Sequence, residues 1–550
     1  MARHAPATRL TTHEVTNQPE EFAGKNLYET DIALKEAAQR EAGAWLDTPL
    51  NALGAAVGSE QVLELGELAN RHPPELTTFD RYGRRIDEVR FHPAYHALMA
   101  LAMEHHIHDI AWARDGAGGH VGHAALLALF TQAEAGTMCP MSMTYSCVPA
   151  LRRSPEVGNA WLEKLIGGRY DAPLKPIPDK AGVTIGMAMT EKQGGSDVRA
   201  NSSRALPLDG GGRSYALVGH KWFCSAPMSD AFLTLAYAPE GLSCFLVPRI
   251  APDGERNGIQ LMRLKDKLGN RSNASAEVEY HHAYAELVGE PGQGVKTIVE
   301  MVHHTRLGTI AGTLGIMRMA LAQAIHHVSG RRVFQKTLID QAAMRGVLAD
   351  LAVEYEAAAA LVMRIARAFD GADESERALA RLGVAAAKYW LTKRCPNFVY
   401  ECMECLGGAG YVEESPLPRL FRESPLNAIW EGSGNVIALD ILRTLAREPS
   451  ALAALELELR RAAGVSAALD REIDAFLGRL RTGMPGEGEA RLVAERMALL
   501  LQAALLVRHA PAAVADLFLQ TRLGDAAGRS YGAFEGAFDL AAVVERQLSS

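Results

Sequence analysis

The chain has 550 residues, of which 48% are hydrophobic and 22% are charged, and its formal net charge is −8. This length is enough for about two to four packed units of an ordinary globular protein. The negative charge gives no overall attraction to nucleic acid or to an anionic membrane. No apolar run approaches the roughly 18 residues that a membrane-spanning helix needs, and the first residues lack the apolar region of a signal peptide. We therefore expect a cytoplasmic protein without membrane segments.

Seven cysteines are spread along the chain, and only Cys402 and Cys405 lie close together. Their spacing is also one turn of a helix, and no second Cys or His pair follows that would complete a metal site. We interpret them as reduced residues of a hydrophobic core, with a redox or metal site as the alternative, and we predict no bound metal.

Segments with helical and strand-like patterns alternate in large blocks. Apolar residues at helical spacing predict that residues 1–180 are mainly helical, with a helix stop at Pro73-Pro74. Short alternating segments separated by turn residues predict a β domain over residues 181–290. Long helical patterns with short loops predict a helical bundle over residues 291–447 and a further helical domain over residues 448–550. The predicted fold class is α+β, mostly α.

One carboxylate, Glu431, stands between the bulky pair Ile429-Trp430 and the turn sequence Gly-Ser-Gly-Asn of residues 432–435. Its apolar neighbours would leave it poorly solvated, which suits a base with a tuned pKa. The glycines let the backbone approach a flat ligand closely, and the start of the next helix offers free backbone N–H groups. The alternative is an ordinary loop between two helix caps.

The segment 187–198, Met-Ala-Met-Thr-Glu-Lys-Gln-Gly-Gly-Ser-Asp-Val, opens the predicted β domain. Thr190, Ser196 and several backbone amides would face a ligand where Gly195 permits a close approach. Fixed N–H and O–H donors of this kind stabilise the negative charge of a reduced flavin. The alternative is a turn or helix cap built on Ser196 and Asp197.

These two stretches and several others resemble, in order, the motifs of the acyl-CoA dehydrogenase superfamily, in which helical, β and helical domains follow one another. The segment 187–198 resembles the Thr-Glu-x-x-x-Gly-Ser-Asp flavin motif, and the Glu431 stretch resembles the Ile-x-Glu-Gly-Thr motif. The other matching segments are 219–227 (Gly-His-Lys-Trp-Phe-Cys-Ser-Ala-Pro), 263–275, 331–341, 406–411 and 418–423. The resemblance implies the acyl-CoA dehydrogenase fold with an extra C-terminal helical domain.

The resemblance also implies an FAD cofactor and assigns roles to individual residues. Phe223 falls where the family has the Trp that shields one flavin face, and Ser225 falls where it has the Thr that bonds near N5. Ser433 and Asn435 would hold the flavin edge or the pyrophosphate. The remaining residues of the predicted flavin site are Met189, Thr190, Gly195, Ser196, Ile429 and Trp430.

A second group of residues is implied to reach the FAD of a neighbouring subunit. In the family, an Arg at the position of Arg331 meets that pyrophosphate, with Phe334, Gln341 and the pair Gly407-Gly408 nearby. Gln335 replaces the usual Gly of this motif, so the local backbone is expected to differ. A site that is completed between subunits implies a homo-oligomer.

The motifs further resemble the AidB-like branch of the superfamily, which is associated with FAD-containing tetramers, weak acyl-CoA dehydrogenase activity and binding of double-stranded DNA. Glu431 falls on the catalytic carboxylate, the base that removes the α-proton of an acyl thioester while flavin N5 accepts the β-hydrogen as hydride. His303 replaces an acidic residue that meets CoA in the family. His303 and His304 either are ordinary core or surface residues or line a changed substrate channel with Arg306 and Arg443.

Binding of DNA in this branch is attributed to the C-terminal region. That region has no Lys after Lys393, and its arginines, among them the candidate DNA contacts Arg460 and Arg461, alternate with acidic residues. A DNA-binding face would cluster the arginines, whereas a salt-bridged helix face explains the same pattern. Three hypotheses follow: a homotetrameric FAD-dependent acyl-CoA dehydrogenase-like enzyme, a DNA-binding protein that protects against alkylation and has weak or vestigial dehydrogenase activity, or a flavin oxidase.

Overall fold

The computed structural model describes residues 6–208 and 212–548 of the chain. Asp31 and Ser59 cap the first and third helices, because their side chains accept the backbone N–H groups of Leu34 and Val62. Helices and one strand hairpin come first: α1 (Ile32–Ala42), α2 (Asp47–Val57), α3 (Glu60–Arg71), β1 (Glu75–Phe79), β2 (Arg85–Arg90), α4 (Pro93–Glu104), α5 (Ile110–Ala113), α6 (Gly119–Ala133), α7 (Met138–Ser146), α8 (Val148–Leu151) and α9 (Pro155–Leu165). Every residue of α6 is buried, so this helix lies at the centre of the group.

A β domain follows, built from β3 (Ile185–Ala188), β4 (Arg204–Pro207), β5 (Ser214–Ser225), β6 (Ala231–Ala238), β7 (Gly241–Pro248), β8 (Ile259–Leu264) and β9 (Ser275–Val288). The strand order is β3-β6-β4-β5-β9-β7, and β8 pairs with β9. A further pairing of β6 with β7 closes the strands on themselves. The long antiparallel pair β5 and β9 places Ser225 opposite Ser275. Phe232 and Phe245 are among the side chains that fill the core of this domain.

Residues 1–180 are mainly helical in the structure, but they also contain the hairpin β1–β2, which the sequence pattern did not predict. It lies against β8, where Arg85 Nη2 donates to the carbonyl oxygen of Leu261 at 3.0 Å and the Leu261 N–H donates to Asp87 Oδ1 at 3.1 Å. Its strands have only five and six residues and are mostly half-buried. Because distant partners stabilise these short strands, the local pattern gave little sign of them.

The second half of the chain is again helical. It contains α10 (Gly294–Gly330), the two-residue strands β10 (Arg332–Val333) and β11 (Lys336–Thr337), α11 (Ala342–Phe369), α12 (Glu374–Cys405), α13 (Leu417–Glu423), α14 (Gly434–Arg447), α15 (Pro449–Arg460), α16 (Ala467–Thr482), α17 (Ala490–His509), α18 (Ala512–Phe518) and α19 (Leu540–Leu548). The helices α10, α11 and α12 pack on one another, and α10 and α11 also pack on α6. The structure confirms a mostly α chain with one β domain between helical regions. The four domain boundaries stay predictions.

Within the described ranges, no helix is both long enough and apolar enough to cross a membrane. The same residues contain no group of three or more His, Cys, Asp or Glu side chains that would hold a metal ion. All seven cysteines are buried and form no disulfide. Cys402 and Cys405 lie on α12 in the largest hydrophobic core, as the sequence indicated.

Candidate active site

Glu431 lies on a sharp turn just before α14. Its φ angle is +56° and that of Gly432 is +99°, so both residues adopt the left-handed conformation, which is uncommon for a residue with a side chain. A Cβ atom added to Gly432 would come within 3.0 Å of Ile437 Cδ1. The turn therefore depends on glycine at position 432.

The carboxylate of Glu431 meets α10. Thr305 Oγ1 donates to Glu431 Oε2 at 2.6 Å, and Arg306 Nε donates to the backbone carbonyl oxygen of Glu431 at 3.3 Å. Burial raises the pKa of Glu431, while the Thr305 hydrogen bond and the charges of Lys388 and Arg306 act in the opposite direction. The site thus holds a carboxyl group that is more basic than usual and whose ionised form has partners, which are the properties of a general base.

Arg306 is the buried member of an ion-pair network. Its Nη1 lies 3.0 Å from Asp440 Oδ2, and Arg381 donates to both carboxylate oxygens of Asp440 at 3.0 and 2.8 Å. Burial opposes ionisation of Asp440, but the hydrogen bonds and charges of the two arginines lower its pKa to about 2. The guanidinium of Arg306 is therefore held between Asp440 and the Glu431 turn. Arg443 is exposed one turn later on α14. The role of Arg306 and Arg443 in a substrate channel stays a prediction.

His303 and His304 occupy different surroundings. His304 Nδ1 donates to the carbonyl oxygen of Glu300 at 2.9 Å. Its ring lies 5.5 Å, between centroids, from the ring of the buried Tyr145, which places it in a core cluster of aromatic and histidine rings. Burial and the neighbouring Arg381 and Arg306 lower the pKa of His303 to about 3. His303 is therefore neutral near pH 7 and adds no charge to the Arg306 network.

The two predicted flavin segments of the β domain are joined to each other. The backbone N–H of Trp222 donates to the carbonyl oxygen of Thr190 at 2.8 Å. Lys221 Nζ lies 2.9 Å from Glu191 Oε1 in a fully buried ion pair. A Cβ atom on Gly195 would come within 2.6 Å of Thr190 Oγ1, so this position requires glycine. The segment that carries Met189, Thr190, Gly195 and Ser196 is thereby fixed against β5.

Phe223 and Ser225 end the second flavin segment. Phe223 is 51% exposed, and Lys265 Nζ lies 4.7 Å from the centroid of its ring. Ser225 is half-buried, with its Oγ 3.4 Å from Ser275 Oγ. An exposed aromatic ring beside a hydroxyl group is compatible with the roles of shield and donor that the motif predicts.

The residues around Glu431 connect it to the β domain. Trp430 donates through Nε1 to Asn427 Oδ1 at 3.0 Å, and Trp430 and Met189 pack against the same apolar cluster. Ile429 is 65% exposed. Ser433 and Asn435 are exposed at the start of α14, Ser433 being its N-cap residue. The Glu431 turn and the Met189 segment therefore border one apolar cluster, and their joint role at a flavin stays a prediction.

The predicted contacts to a neighbouring subunit lie elsewhere on the chain surface. Phe334 and Gln335 form the tip of the β10–β11 hairpin with φ angles of +50° and +66°, and Phe334 is 90% exposed. Arg331 Nη1 donates to the carbonyl oxygen of Asn17 at 3.0 Å, and Gln341 Nε2 donates to that of Val333 at 3.0 Å. In the part of the chain that the structure describes, no hydrogen bond or ion pair joins this hairpin to the Glu431 turn. Its role therefore stays a prediction for the oligomer.

The residues present fit a flavin nucleotide. Cβ atoms added to Gly407 and Gly408 would meet no atom within 4 Å, so both positions are open to a ligand or a partner. Exposed apolar side chains such as Phe223, Ile429 and Phe334 are of the kind that a bound group or a second subunit covers. The hydroxyl groups of Thr190 and Ser196 are further hydrogen-bond donors, in the segment that precedes β4.

Sequence reasoning missed several residues that surround Glu431. They are Thr305, Arg381, Lys388, Asn427 and Asp440, which come from α10, α12, the short 3-10 helix before the turn and α14. Lys388 had a usable signal, because it is a single lysine in an apolar stretch of α12 and a buried ammonium group needs partners. The others are ordinary polar residues of helices and give no local sign of their role.

The two candidate DNA contacts are engaged with acidic residues. Arg460 Nη2 lies 2.7 Å from Asp474 Oδ1, and Arg461 Nε lies 3.5 Å from Glu458 Oε2. Both arginines are at least one-third exposed. The arrangement is that of a salt-bridged helix face, which was one of the two interpretations of this sequence.

Known families match most of the chain up to residue 446. Residues 17–172 match the adaptive response protein AidB N-terminal domain, residues 186–283 the acyl-CoA dehydrogenase middle domain, and residues 292–446 the acyl-CoA dehydrogenase C-terminal domain. Over 520 residues the chain is 45% identical to the putative acyl-CoA dehydrogenase AidB of Escherichia coli K12, which covers 94% of this chain and 95% of that protein. The chain belongs to the AidB branch of the acyl-CoA dehydrogenase family.

Solved structures agree with this membership. Caenorhabditis elegans ACDH-11, solved in complex with C11-CoA, has a TM-score of 0.83 and 26% identity and covers 100% of this chain and 98% of its own. An acyl-CoA dehydrogenase of Bacillus anthracis complexed with FAD has a TM-score of 0.67 over 89% of this chain and 86% of its own, and at 17% identity it shows the shared fold. The acyl-CoA dehydrogenase fold is thus confirmed. FAD is the cofactor of this family, in agreement with the motifs.

Proposed function

We propose that this chain is an FAD-dependent oxidoreductase that dehydrogenates an acyl-CoA thioester or a related small substrate, with Glu431 as the base. The observation that carries the proposal is the setting of the Glu431 carboxylate. It is held by Thr305, its basicity is raised by burial, and the adjacent Trp430 borders the same apolar cluster as Met189 of the predicted flavin segment. The family membership of the chain supports an oxidoreductase of this type.

The reaction needs two hydrogens to leave neighbouring carbons. Glu431 would take the α-proton, and the electron pair of that C–H bond would form the new double bond as the β-hydrogen departs with its own pair. Bound FAD would supply the acceptor for that hydride. A site that excludes water and holds the carboxylate at hydrogen-bond distance favours such a proton transfer. Thr305 and Arg306 would keep Glu431 oriented during it.

We assign the cofactor to the residues that the motifs and the geometry favour. In the same subunit these are Met189, Thr190, Gly195, Ser196, Phe223, Ser225, Ile429, Trp430, Ser433 and Asn435. Arg331, Phe334, Gln341, Gly407 and Gly408 would complete the site of a second subunit in a cytoplasmic homotetramer. Arg306 and Arg443 would lie along the substrate channel.

The purified protein should be yellow, and anaerobic addition of isovaleryl-CoA should bleach the absorption of its oxidised flavin. Acyl-CoAs with straight and branched chains of several lengths would show which substrate acts best. Free CoA is the control, because it has no acyl chain to oxidise and should leave the spectrum unchanged. A yellow protein that no acyl-CoA bleaches would contradict the proposed substrate class, and a colourless protein that cannot be reconstituted with FAD would contradict the cofactor.

A DNA-binding role in protection against alkylation is the alternative proposal. It predicts that duplex DNA binds with an affinity that falls as salt rises, and that the double variant Arg460→Ala/Arg461→Ala lowers the salt slope by about two. Fluorescence anisotropy of a labelled duplex over a salt series measures both. Arg471→Ala, on the neighbouring helix α16, is the matched control. Binding that is absent or independent of salt would exclude this role, as would equal losses in the variant and the control.

A further inference from the structure

Lys388 is a buried lysine of α12 beside the Glu431 turn. Its side chain is almost inaccessible to solvent, at 1% exposure. Its Nζ donates to the carbonyl oxygen of Gly432 at 2.8 Å and to that of Asn427 at 3.1 Å. These carbonyl groups stand on the two sides of Glu431 in the chain, so one ammonium group connects both ends of the turn.

The turn has few other ways to satisfy these carbonyl groups. Glu431 and Gly432 are left-handed and lie outside any helix, and a buried backbone carbonyl without a donor is costly. Arg306 Nε donates to the carbonyl oxygen of Glu431 from the α10 side. Asn427 is also fixed through its side chain, which donates to Thr313 Oγ1 at 3.0 Å. Two cationic side chains from different helices therefore hold three carbonyl groups of one short turn.

The charges around Lys388 act on it in both directions. Burial is the largest influence and, together with the charge of Arg306, lowers the pKa of Lys388 to about 7. The charge of Glu431 raises this pKa, whereas the charge of Lys393 on the same helix lowers it further. The ammonium form therefore dominates below pH 7. In turn, Lys388 lowers the pKa of Glu431, together with Arg306 and the Thr305 hydrogen bond. Asp440 pairs with Arg306, and the buried Cys139 thiol on α7 also faces Glu431.

We propose that Lys388 is a positioning residue of this site, which fastens the turn through the carbonyl groups of Asn427 and Gly432 and favours the ionised form of the Glu431 carboxylate. The catalytic consequence rests on the proposed function of Glu431, whereas the fastening of the turn does not. Lys388 touches neither substrate nor cofactor in this proposal. It acts only through the position and charge of Glu431.

Hydrogen exchange tests the fastening. In Lys388→Met, which keeps the length of the side chain but has no donor, the backbone amides of residues 427–433 should exchange about tenfold faster or more, because buried carbonyl groups lose charged donors. Residues 374–387 of α12 should stay protected. Thr392→Val is the matched control, because Thr392 is buried on the same helix and its Oγ1 donates within that helix to the carbonyl oxygen of Lys388. Equal exchange in Lys388→Met and wild type would overturn the proposal.

Infrared difference spectra against Glu431→Gln test the effect on charge. Titration of the Glu431 carboxyl band should show a higher pKa in Lys388→Met and in Lys388→Gln than in wild type. Lys388→Gln keeps an NH2 donor group without the charge, so its turn should stay partly protected, and it also serves if Lys388→Met does not fold. An unchanged titration in both variants would overturn the proposal. These readouts need no turnover, so a failure of the proposed dehydrogenase reaction would be distinguishable from a failure of this inference.

Discussion

Replacing Glu431 with glutamine should slow the bleaching of bound flavin by an acyl-CoA about a thousandfold. The glutamine amide has nearly the same shape and can still accept the hydrogen bond of Thr305 Oγ1, but it cannot take up a proton. Binding of FAD and the stability of the fold should therefore be retained. Anaerobic stopped-flow absorbance gives the rate, and the flavin spectrum and a thermal melt give the two controls. Bleaching at close to the wild-type rate would show that another group is the base.

The pH dependence of this rate follows from the same carboxylate. Only ionised Glu431 accepts the α-proton, so the wild-type rate should rise with pH. Burial raises the pKa of Glu431, which places this rise at a higher pH than an exposed glutamate would give. The residual rate of Glu431→Gln should lack this rise. A rise that persists in the variant would have to come from a different group.

Breaking the Glu191–Lys221 ion pair should destabilise the β domain by about 3–5 kcal/mol. Both side chains are fully buried with Nζ and Oε1 2.9 Å apart, so Lys221→Met would leave a buried carboxylate without its counter-charge. Glu191 also accepts the Ser202 N–H at 2.6 Å, which fixes the carboxylate further in place. Unfolding by denaturant, monitored through a spectroscopic signal of the β domain, measures the loss of unfolding free energy. The double variant Glu191→Leu/Lys221→Met should recover most of it, since neither charge then remains.

Acid should reduce the difference in the free energy of unfolding between Lys221→Met and wild type. Burial alone would raise the pKa of Glu191, but Lys221 and the hydrogen bonds from Ser202 and Ser203 lower it to about 2, below the ordinary value of 4.5. The stabilising contribution of the pair is therefore complete above pH 4.5 and is lost as the pH falls through 2. Because the pair joins the Thr190 segment to β5, Lys221→Met should also retain less FAD. If Lys221→Met were as stable as wild type at neutral pH, both the expected loss of stability and its expected dependence on acid would be contradicted.

The parts of the site that could be predicted from the sequence are local in the chain. Glu431 and Trp430 are neighbours within one turn, and Thr190 and Gly195 are neighbours within another, so motif chemistry identifies each group directly. The order of helical and β blocks also follows from short-range periodicity. The structure adds that Trp430 and the Met189 segment share one apolar cluster.

The parts that escaped prediction depend on packing between distant segments. A helical pattern predicts α10, but no local rule states that Thr305, rather than another residue of that helix, meets residue 431. The same holds for Asp440, whose partners Arg306 and Arg381 come from two other helices. The β1–β2 hairpin was missed for a related reason, since it is completed by β8. The predicted contacts of Arg331 and Phe334 lie between subunits, where a single chain gives no test.

The left-handed conformation of Glu431 sets stability against activity at one position. For a residue with a Cβ atom this conformation costs about 1–2 kcal/mol, and glycine would avoid most of that cost. The proposed reaction thus needs glutamate at position 431, whereas the backbone geometry at this position favours glycine. A selection for thermal stability alone would favour glycine at position 431, and this substitution would remove the proposed base. Efforts to make the protein more robust should therefore leave residues 431 and 432 untouched.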